Sequence, residues 1–226
     1  MSLPYLNIQA DKPVSAVLIF EGALAYSRKS VTIRGGDGAD RVLKMGAVLG
    51  FALFGAVTIT PDAGNTGDGA LGGVTLGDAA KVGDYELTCI AASVDGGIFQ
   101  VLDPDGYRLG DAEVGVAFSS RHVNFTVADG AADFVVGDVI TVTVAEGDGK
   151  AVNLDPSATD GTQLAGGVLL DNVTAPAGVD VDSTAIVRFG LVAADGLVWQ
   201  DAVTAEQKAA ALARLGHDGL HTRTSA

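Results

Sequence analysis

The sequence is poor in the residues that most binding and catalytic chemistry requires. It has one cysteine, three histidines, and 14 lysines and arginines against 28 aspartates and glutamates, a formal net charge of −14. A lone cysteine can form no intramolecular disulfide and no cysteine-based zinc cluster. Such an excess of negative charge disfavours binding to nucleic-acid phosphates or anionic lipid headgroups, which attract clustered lysine and arginine. The sequence therefore predicts no nucleic-acid or membrane partner.

Long hydrophobic runs and aromatic side chains are also scarce. The most apolar stretch, residues 46–59, is shorter than the ~17 to 25 residues that cross a bilayer as a helix, and its glycines favour two buried strands joined by a turn. The N-terminus lacks the basic start and apolar core of a signal peptide, which predicts synthesis in the cytosol. Hydrophobic residues make up 48% of the chain and aromatics only 6%, so we expect a folded protein with an aliphatic core.

Glycine is abundant, with 31 residues, and between residues 61 and 149 it often stands beside aspartate. Each such pair supplies the positive φ or the Asx hydrogen bond of a tight turn. The intervening segments, such as 85–90, 98–102 and 139–144, alternate or are β-branched. Short strands at this spacing predict an antiparallel sandwich or barrel.

Strands are also predicted on both sides of this middle region. Residues 14–20 and 30–33 are β-branched or aliphatic and precede a Gly-Gly-Asp-Gly turn, which predicts a strand pair. Residues 166–170, 185–189 and 191–193 have the same character. The chain is therefore expected to be mainly β.

One helix is predicted, close to the C-terminus. Thr204 and Gln207 have the spacing of a capping box, and Gly216 is expected to end the helix. Its core-facing side chains are predicted to be Ala211, Leu212 and Leu215.

Two motifs resemble ligand-binding loops. Residues 67–72 match the GxGxxG pattern, but a dinucleotide site needs a helix to open there, and residues 73–77 predict a strand and a turn. Residues 103–106 resemble the start of a calcium loop, but no glutamate stands at the twelfth position, and Pro104 suits a type I turn. Both motifs are interpreted as turns, so no cofactor is predicted.

The histidines give no good metal site. His217 and His221 are four residues apart, but Gly216 and Gly219 argue against a shared helix, and His122 is remote in sequence. No metal site is predicted.

No group of residues predicts catalysis. There is no GxSxG motif, and no serine, histidine and carboxylate stand in a recognisable catalytic pattern. Asp103, Asp105 and Asp111 leave a hydrolase as a further hypothesis, but turns explain these carboxylates better. Cys89 alternates with Leu87 in a predicted strand, where cysteine is usually a small buried hydrophobe. We therefore predict that the protein is not an enzyme.

Four stretches on either side of the middle region carry a family resemblance: residues 27–33 (SRKSVTI), 44–50 (KMGAVLG), 155–170 (DPSATDGTQLAGGVLL), and 185–188 (AIVR) leading to 197–199 (LVW). In this order they resemble the head decoration protein D family of tailed bacteriophages, the lambda-like capsid decoration or cement proteins. The third stretch is the most specific, because the family likewise has Ala, Asp, Gly and small residues before a strand and a variable loop.

The resemblance implies a domain organisation. Residues 1–13 would form an extended arm, 14–60 and 150–226 a discontinuous decoration domain, and 61–149 an inserted β-domain. The decoration domain would be small and mainly β, β-clip-like with a short C-terminal helix, and the insert an antiparallel sandwich or barrel. Surface loops accept such insertions because the entropy of loop closure grows slowly with loop length.

The resemblance also implies partners. Members of the family sit as homotrimers at the local threefold positions of the expanded capsid, and their N-terminal segment orders against the major capsid protein. Trp199 is expected to be either a core anchor or a trimer contact. The arm residues expected to contact the capsid are Leu3, Pro4, Tyr5, Leu6 and Ile8.

The leading hypothesis is thus a structural virion protein that cements the outer surface of the phage head against the pressure of packaged DNA. It would be made in the host cytoplasm, and its insert would be free to bind a host-surface ligand. The alternative is a phage or bacterial β-rich adhesin or ligand-binding module with no capsid role.

Overall fold

The computed structural model describes residues 13–224 of a protein that is mainly β, with 47% of residues in strands and 11% in helices. This confirms the predicted fold class. Within these residues no helix is long and apolar enough to cross a bilayer. The α-helices are α1 (Leu24–Ser27) and α2 (Ala205–His217), and two short 3-10 helices cover Val14–Ala16 and Ala194–Gly196. The strands are β1 (Leu18–Glu21), β2 (Arg28–Ile33), β3 (Arg41–Leu43), β4 (Val48–Phe51), β5 (Phe54–Pro61), β6 (Leu71–Leu76), β7 (Gly83–Ser93), β8 (Gly96–Leu102), β9 (Arg108–Glu113), β10 (Ala117–Phe118), β11 (Val123–Val127), β12 (Val139–Glu146), β13 (Ala151–Asn153), β14 (Ala165–Leu169), β15 (Val173–Ala175), β16 (Val181–Ile186), β17 (Gly190–Ala193) and β18 (Leu220–Arg223).

The chain divides into two compact units. The first takes the described chain up to Phe51, Lys150–Pro156 and the chain from Thr162 onward, and the second takes Ala52–Gly149 with Ser157–Gly161. Strand β5 lies in the second unit, because it pairs along its length with β12, whereas the family resemblance implied that residues up to 60 belong to the decoration domain.

The apolar stretch at residues 46–59 does form two strands, β4 and β5, but only the first is buried. Strand β5 is exposed over most of its length because it is the edge strand of its sheet. The expectation of two buried strands is therefore wrong for the second one.

In the first unit, five strands close a barrel in the order β13-β2-β16-β14-β4. Ile33, Leu49 and Leu169 are fully buried in one core cluster of this unit. A second cluster includes Val168 of the barrel and Leu215 of α2. It also takes in residues of the three-stranded sheet β1-β17-β18. The core of this unit is aliphatic, as the composition predicts.

Strands β1 and β2 do not pair with each other. Strand β1 pairs with β17, with Leu18 opposite Val192, and β2 pairs with β16, with Ser30 opposite Thr184. The predicted strand pair is therefore wrong, because the short helix α1 separates the two strands and each finds its partner far along the chain.

Helix α2 begins as the sequence predicts. The backbone N–H of Gln207 donates to Thr204 Oγ1 over 3.3 Å, and the Gln207 side chain accepts from the Thr204 N–H over 2.9 Å. Ala211 and Leu215 are buried, and Leu212 is half-buried against the same cluster. The helix continues through the predicted stop at residue 216 to His217, because the left-handed glycine that turns the chain lies at residue 219, with φ +75°.

The second unit contains two antiparallel sheets, ordered β5-β12-β7-β8-β9 and β10-β11-β6, around one core cluster. Inward and outward residues alternate on the strands, as on β7, where Tyr85, Leu87 and Cys89 are buried. The sandwich is therefore as predicted. Its core is not purely aliphatic: the rings of Phe99 and Phe134 meet edge to face at 4.8 Å between centroids, and the buried aromatic residues of the described chain lie in this core.

Candidate functional site

The glycine-rich loop at residues 67–72 is held at its start by backbone hydrogen bonds. The Asp138 carboxylate accepts the N–H groups of Thr66 and Gly67 over 3.0 and 2.9 Å, and the ring of Phe134 lies where a side chain on Gly69 would stand. The loop leads into strand β6 and not into a helix. The arrangement fits a packed turn and lacks the helix N-terminus of a dinucleotide site.

Asp138 is the acceptor that holds this loop. Its side chain also accepts the N–H of Val135 over 3.1 Å, and the residue is 3% exposed. Burial alone would raise the pKa of Asp138, but the three backbone hydrogen bonds lower it below its ordinary value. The carboxylate is therefore a charged structural element at neutral pH.

The Asp-Pro-Asp-Gly sequence forms the β8–β9 turn. The Gly106 N–H donates to the Asp103 carbonyl over 2.8 Å, and the Asp103 carboxylate accepts the N–H groups of Asp105 and Tyr107 and the ammonium of Lys81. Burial would raise the pKa of Asp103, but these hydrogen bonds lower it. This supports the interpretation of residues 103–106 as a hairpin turn.

Within residues 13–224 the histidines join no group of three side chains that could hold a metal ion. His217 ends α2 and His221 lies on β18, and His122 belongs to the second unit. Asp111 on β9 pairs with Arg108. Burial raises the pKa of the Cys89 thiol, which donates to the Ala91 carbonyl over 3.6 Å. Three exposed carboxylates that the sequence did not single out, Asp95, Asp129 and Asp133, lie within 4.8 Å of one another.

The first unit carries an exposed apolar surface that the sequence also did not single out. It is formed by Tyr26 and Phe189, which are 57% and 59% exposed, and the segment that leads to Tyr26 also exposes Phe20 and Leu24; we call the Tyr26 and Phe189 rings the aromatic surface. The Tyr26 and Phe189 rings meet edge to face at 6.2 Å between centroids. Large exposed apolar side chains grouped in this way are typical of contact surfaces.

Phe189 is held on this surface by a disfavoured backbone conformation. Its φ is +51°, which costs a non-glycine residue about 1–3 kcal/mol. Its carbonyl accepts the Gly22 N–H and the Ser27 hydroxyl, both over 3.1 Å, and its N–H donates to the Asp218 carbonyl over 3.3 Å. A Cβ on Gly22 would lie 2.4 Å from the Phe189 ring. The surrounding structure therefore fixes an exposed ring in place.

A groove of about 470 Å³ in the same unit shares Tyr26 with the aromatic surface. The Arg188 guanidinium lies 5.0 Å from the Tyr26 ring centroid, and Lys29 Nζ lies 5.9 Å from that of Phe51. The Phe51 ring occupies the space where Gly166 has no side chain. We call this the cationic groove; its lining residues are Tyr26, Lys29, Phe51, Gly166, Val187, Arg188, His217 and Asp218.

The sequence pattern predicted a strand over residues 185–189, with Phe189 at its end. This prediction gave no reason to expect Phe189 on an exposed surface. Strand β16 ends at Ile186 and β17 starts at Gly190, so Phe189 lies in the connection between them. A phenylalanine directly before a glycine, outside an alternating pattern, is the only local signal.

The site residues predicted from the sequence lie elsewhere. Trp199 is half-buried against the core cluster that contains Leu215, and Lys208 Nζ lies 5.9 Å from its ring centroid. The predicted arm contacts lie outside the described residues: Leu3, Pro4, Tyr5, Leu6 and Ile8.

Comparison with known proteins relates part of this chain to a family of phage head proteins. Residues 116–220 match the family model of the bacteriophage lambda head decoration protein D. The match supports the resemblance to the head decoration protein D family, over slightly less than half of the chain. It starts inside the second unit, at β10, and runs through the larger C-terminal part of the first unit, whereas the sequence resemblance was carried by residues 14–60 and 150–226.

The other comparisons add no functional argument. No curated protein matches the chain. Two crystal structures of Xanthomonas campestris FlgL are similar at 17% and 15% identity, with TM-scores of 0.32 and 0.31. The matches cover 46% and 50% of this chain and 33% and 40% of the FlgL chains.

Proposed function

We propose that the protein is a capsid decoration protein that binds the outer surface of the expanded phage head at threefold positions and stabilises it against internal DNA pressure. The observation that carries the proposal is the match of residues 116–220 to head decoration protein D. The family is structural, not enzymatic, and the proposed work is adhesion without turnover. Many weak contacts on a lattice add up through multivalency, so each copy need not bind tightly.

The proposed domain roles follow the two compact units. The first unit is the decoration domain, and the second is a β-sandwich inserted into it, which is available for a host-surface ligand. The arm, residues 1–13, is proposed to order on the major capsid protein. Trp199 packs on the core of the first unit, which favours its role as a core anchor over that of a trimer contact.

The aromatic surface supports a contact role for the first unit. A ring at Phe189 that is 59% exposed and fixed in a left-handed backbone conformation presents apolar area at little further entropic cost. Tyr26 packs against it, so the surface is pre-formed. A pre-formed apolar surface lowers the cost of binding to a capsid.

Co-sedimentation with purified heads tests the proposal. The full-length chain and a chain lacking residues 1–12 are each mixed with expanded and with unexpanded heads, and the pellets are quantified. We expect full-length protein to pellet on expanded heads at about one copy per capsid subunit, and the truncated chain to bind far more weakly. If the full-length protein stays in the supernatant with both kinds of head, the capsid role is wrong.

A further inference from the structure

We infer that the cationic groove binds a carboxylate-bearing, extended segment of another protein, with Arg188 and Lys29 as the groups that recognise the carboxylate. The inference rests on the proposed function, under which that segment is exposed on the phage head. It names the chemistry of the partner, which neither the fold nor the family match supplies.

The two cations of the groove lack the partners that other cations of this chain have. Within residues 13–224, no carboxylate forms an ion pair with Lys29 or Arg188, although the chain has 28 acidic residues. By contrast, Arg28 pairs with Glu21 over 2.7 Å. Positive charges left open in a chain of net charge −14 create a local positive potential, and the complementary ligand is anionic.

The surroundings of the two cations favour a carboxylate on a polypeptide. The Arg188 guanidinium lies over the Tyr26 ring and Lys29 Nζ over the Phe51 ring, so the charged ends are already positioned by the rings and lose little freedom on binding. A guanidinium can hold a carboxylate with two parallel hydrogen bonds. A phosphate polymer would meet the strong overall negative charge of the chain, whereas one carboxylate on a mostly neutral segment meets little of it.

The aromatic surface is proposed to bind the apolar side chains next to the carboxylate. Tyr26 belongs to both the groove and this surface, so a segment whose carboxylate reaches Arg188 brings its neighbouring side chains towards Phe189. Apolar side chains beside an acidic residue would bury against these rings. The occupant is therefore an acidic residue flanked by apolar ones.

One lining residue, Asp218, should oppose the binding of a carboxylate. Its substitution therefore tests the inference in the opposite direction from substitutions of the two cations. Asp218 is the acidic residue among those that line the groove, and its side chain is exposed at the end of α2. Its negative charge weakens the binding of a carboxylate. Removing that charge should therefore strengthen binding, while reversing Arg188 or Lys29 should weaken it.

The experiment measures binding of full-length variants to purified expanded heads by co-sedimentation over a range of protein concentrations. We expect Arg188→Glu and Lys29→Glu to weaken binding at least about tenfold, and Asp218→Asn to strengthen it. Lys44→Glu is the matched control, because Lys44 is an exposed lysine of the same unit outside the groove, and we expect less than about a threefold change there. Far-UV circular dichroism and the melting temperature check that each variant folds, and Arg188→Gln replaces Arg188→Glu if the latter does not.

The outcomes separate the inference from the proposed function. If the wild-type protein does not pellet, the proposed function fails and the inference falls with it. If the wild type pellets but Arg188→Glu binds like Lys44→Glu, the inference alone is overturned. The alternative occupant of the groove is a second copy of this chain, and sedimentation velocity on the free protein tests it. If the wild type is an oligomer and Arg188→Glu is not, the groove binds a second copy and the inference is wrong.

Discussion

Replacing Asp138 with asparagine should destabilise the second unit strongly. The carboxylate is almost fully buried, and its two oxygens accept three backbone N–H groups, from Thr66 on one side and from Gly67 and Val135 on the other. In Asp138→Asn one oxygen becomes an NH₂ group that faces a donor. At least one of these three N–H groups therefore loses its acceptor beside a buried side chain.

The size of the effect follows from these contacts. A hydrogen bond to a charged group contributes about 1.5–3 kcal/mol, and a buried donor left without a partner costs about 1–3 kcal/mol. We therefore expect the free energy of unfolding to fall by about 2–4 kcal/mol. For a unit on the order of 100 residues, 1 kcal/mol corresponds to about 4–8 °C, so the melting temperature should fall by about 8 °C or more.

Scanning calorimetry and urea unfolding followed by far-UV circular dichroism measure this change. Asp129→Asn is the control, since Asp129 is an exposed aspartate of the same unit, and its free energy of unfolding should change by less than about 0.5 kcal/mol. Fluorescence of Trp199, which lies in the first unit, shows whether the first unit stays folded. A change below about 0.5 kcal/mol in Asp138→Asn would refute the proposed anchoring role.

The same substitution should change the acid sensitivity of the protein. Hydrogen bonds hold the pKa of Asp138 below its ordinary value, so the stability it contributes is present at neutral pH and is lost as the pH falls through the folded-state pKa. The difference in unfolding free energy between wild type and Asp138→Asn should therefore shrink on acidification below about pH 4. A difference that stays constant down to the acid transition would contradict this assignment.

Three further predictions concern the fold. The buried Cys89 thiol, whose pKa burial raises, should react with a thiol reagent only as fast as the second unit opens, and stoichiometric labelling within the mixing time would show that it is accessible. Thr204→Ala should lower the free energy of unfolding by about 1 kcal/mol through loss of the capping box, while Thr204→Ser should keep most of it; equal losses in urea unfolding would contradict the cap. Gly69→Ala should lower the free energy of unfolding by about 1–3 kcal/mol, because a Cβ there would overlap the Phe134 ring. Gly72→Ala is the control: a Cβ there meets nothing within 4 Å, and the free energy of unfolding should change by less than about 1 kcal/mol. Similar losses in the two variants would refute the packing role of the loop.

Local patterns in the sequence were enough to predict several elements. The capping box at Thr204, the Asp-Pro-Asp-Gly turn and the alternation around Cys89 each depend on residues a few positions apart. Such patterns report hydrogen bonds and burial that form within one element or one turn. The mainly β class and the sandwich in the second unit follow from them.

The pairing of strands that are far apart in the sequence could not be predicted from such local patterns. Strand β1 pairs with β17 and not with its neighbour β2, and β5 joins β12 across most of the second unit. The propensity of a strand does not specify its partner, since many aliphatic strands of this chain are similar. The cationic groove is hidden for the same reason, because Lys29, Phe51 and Arg188 come from segments that only the folded barrel brings together.

Part of the negative charge of this protein is tied to its turns and loops. Carboxylates in both units accept backbone N–H groups, and neutralising them would cost stability as argued for Asp138. These acceptors, with their donors, include Asp62 with Gly64, Asp68 with Ala132, Asp103 with Tyr107, and Asp180 with Gly35.

Because the turns require these aspartates, the acidity of the chain is not by itself evidence of a binding role. Evidence of a binding role comes from charged side chains that have no ion-pair partner within the fold. Arg188 and Lys29 form no ion pair in the described part of the chain and face a groove walled by aromatic rings. Reversing either charge should leave the melting temperature nearly unchanged and alter binding to heads, whereas Asp138→Asn should lower the melting temperature and leave the groove intact. The two sets of variants therefore separate what the charges do for folding from what they do for recognition.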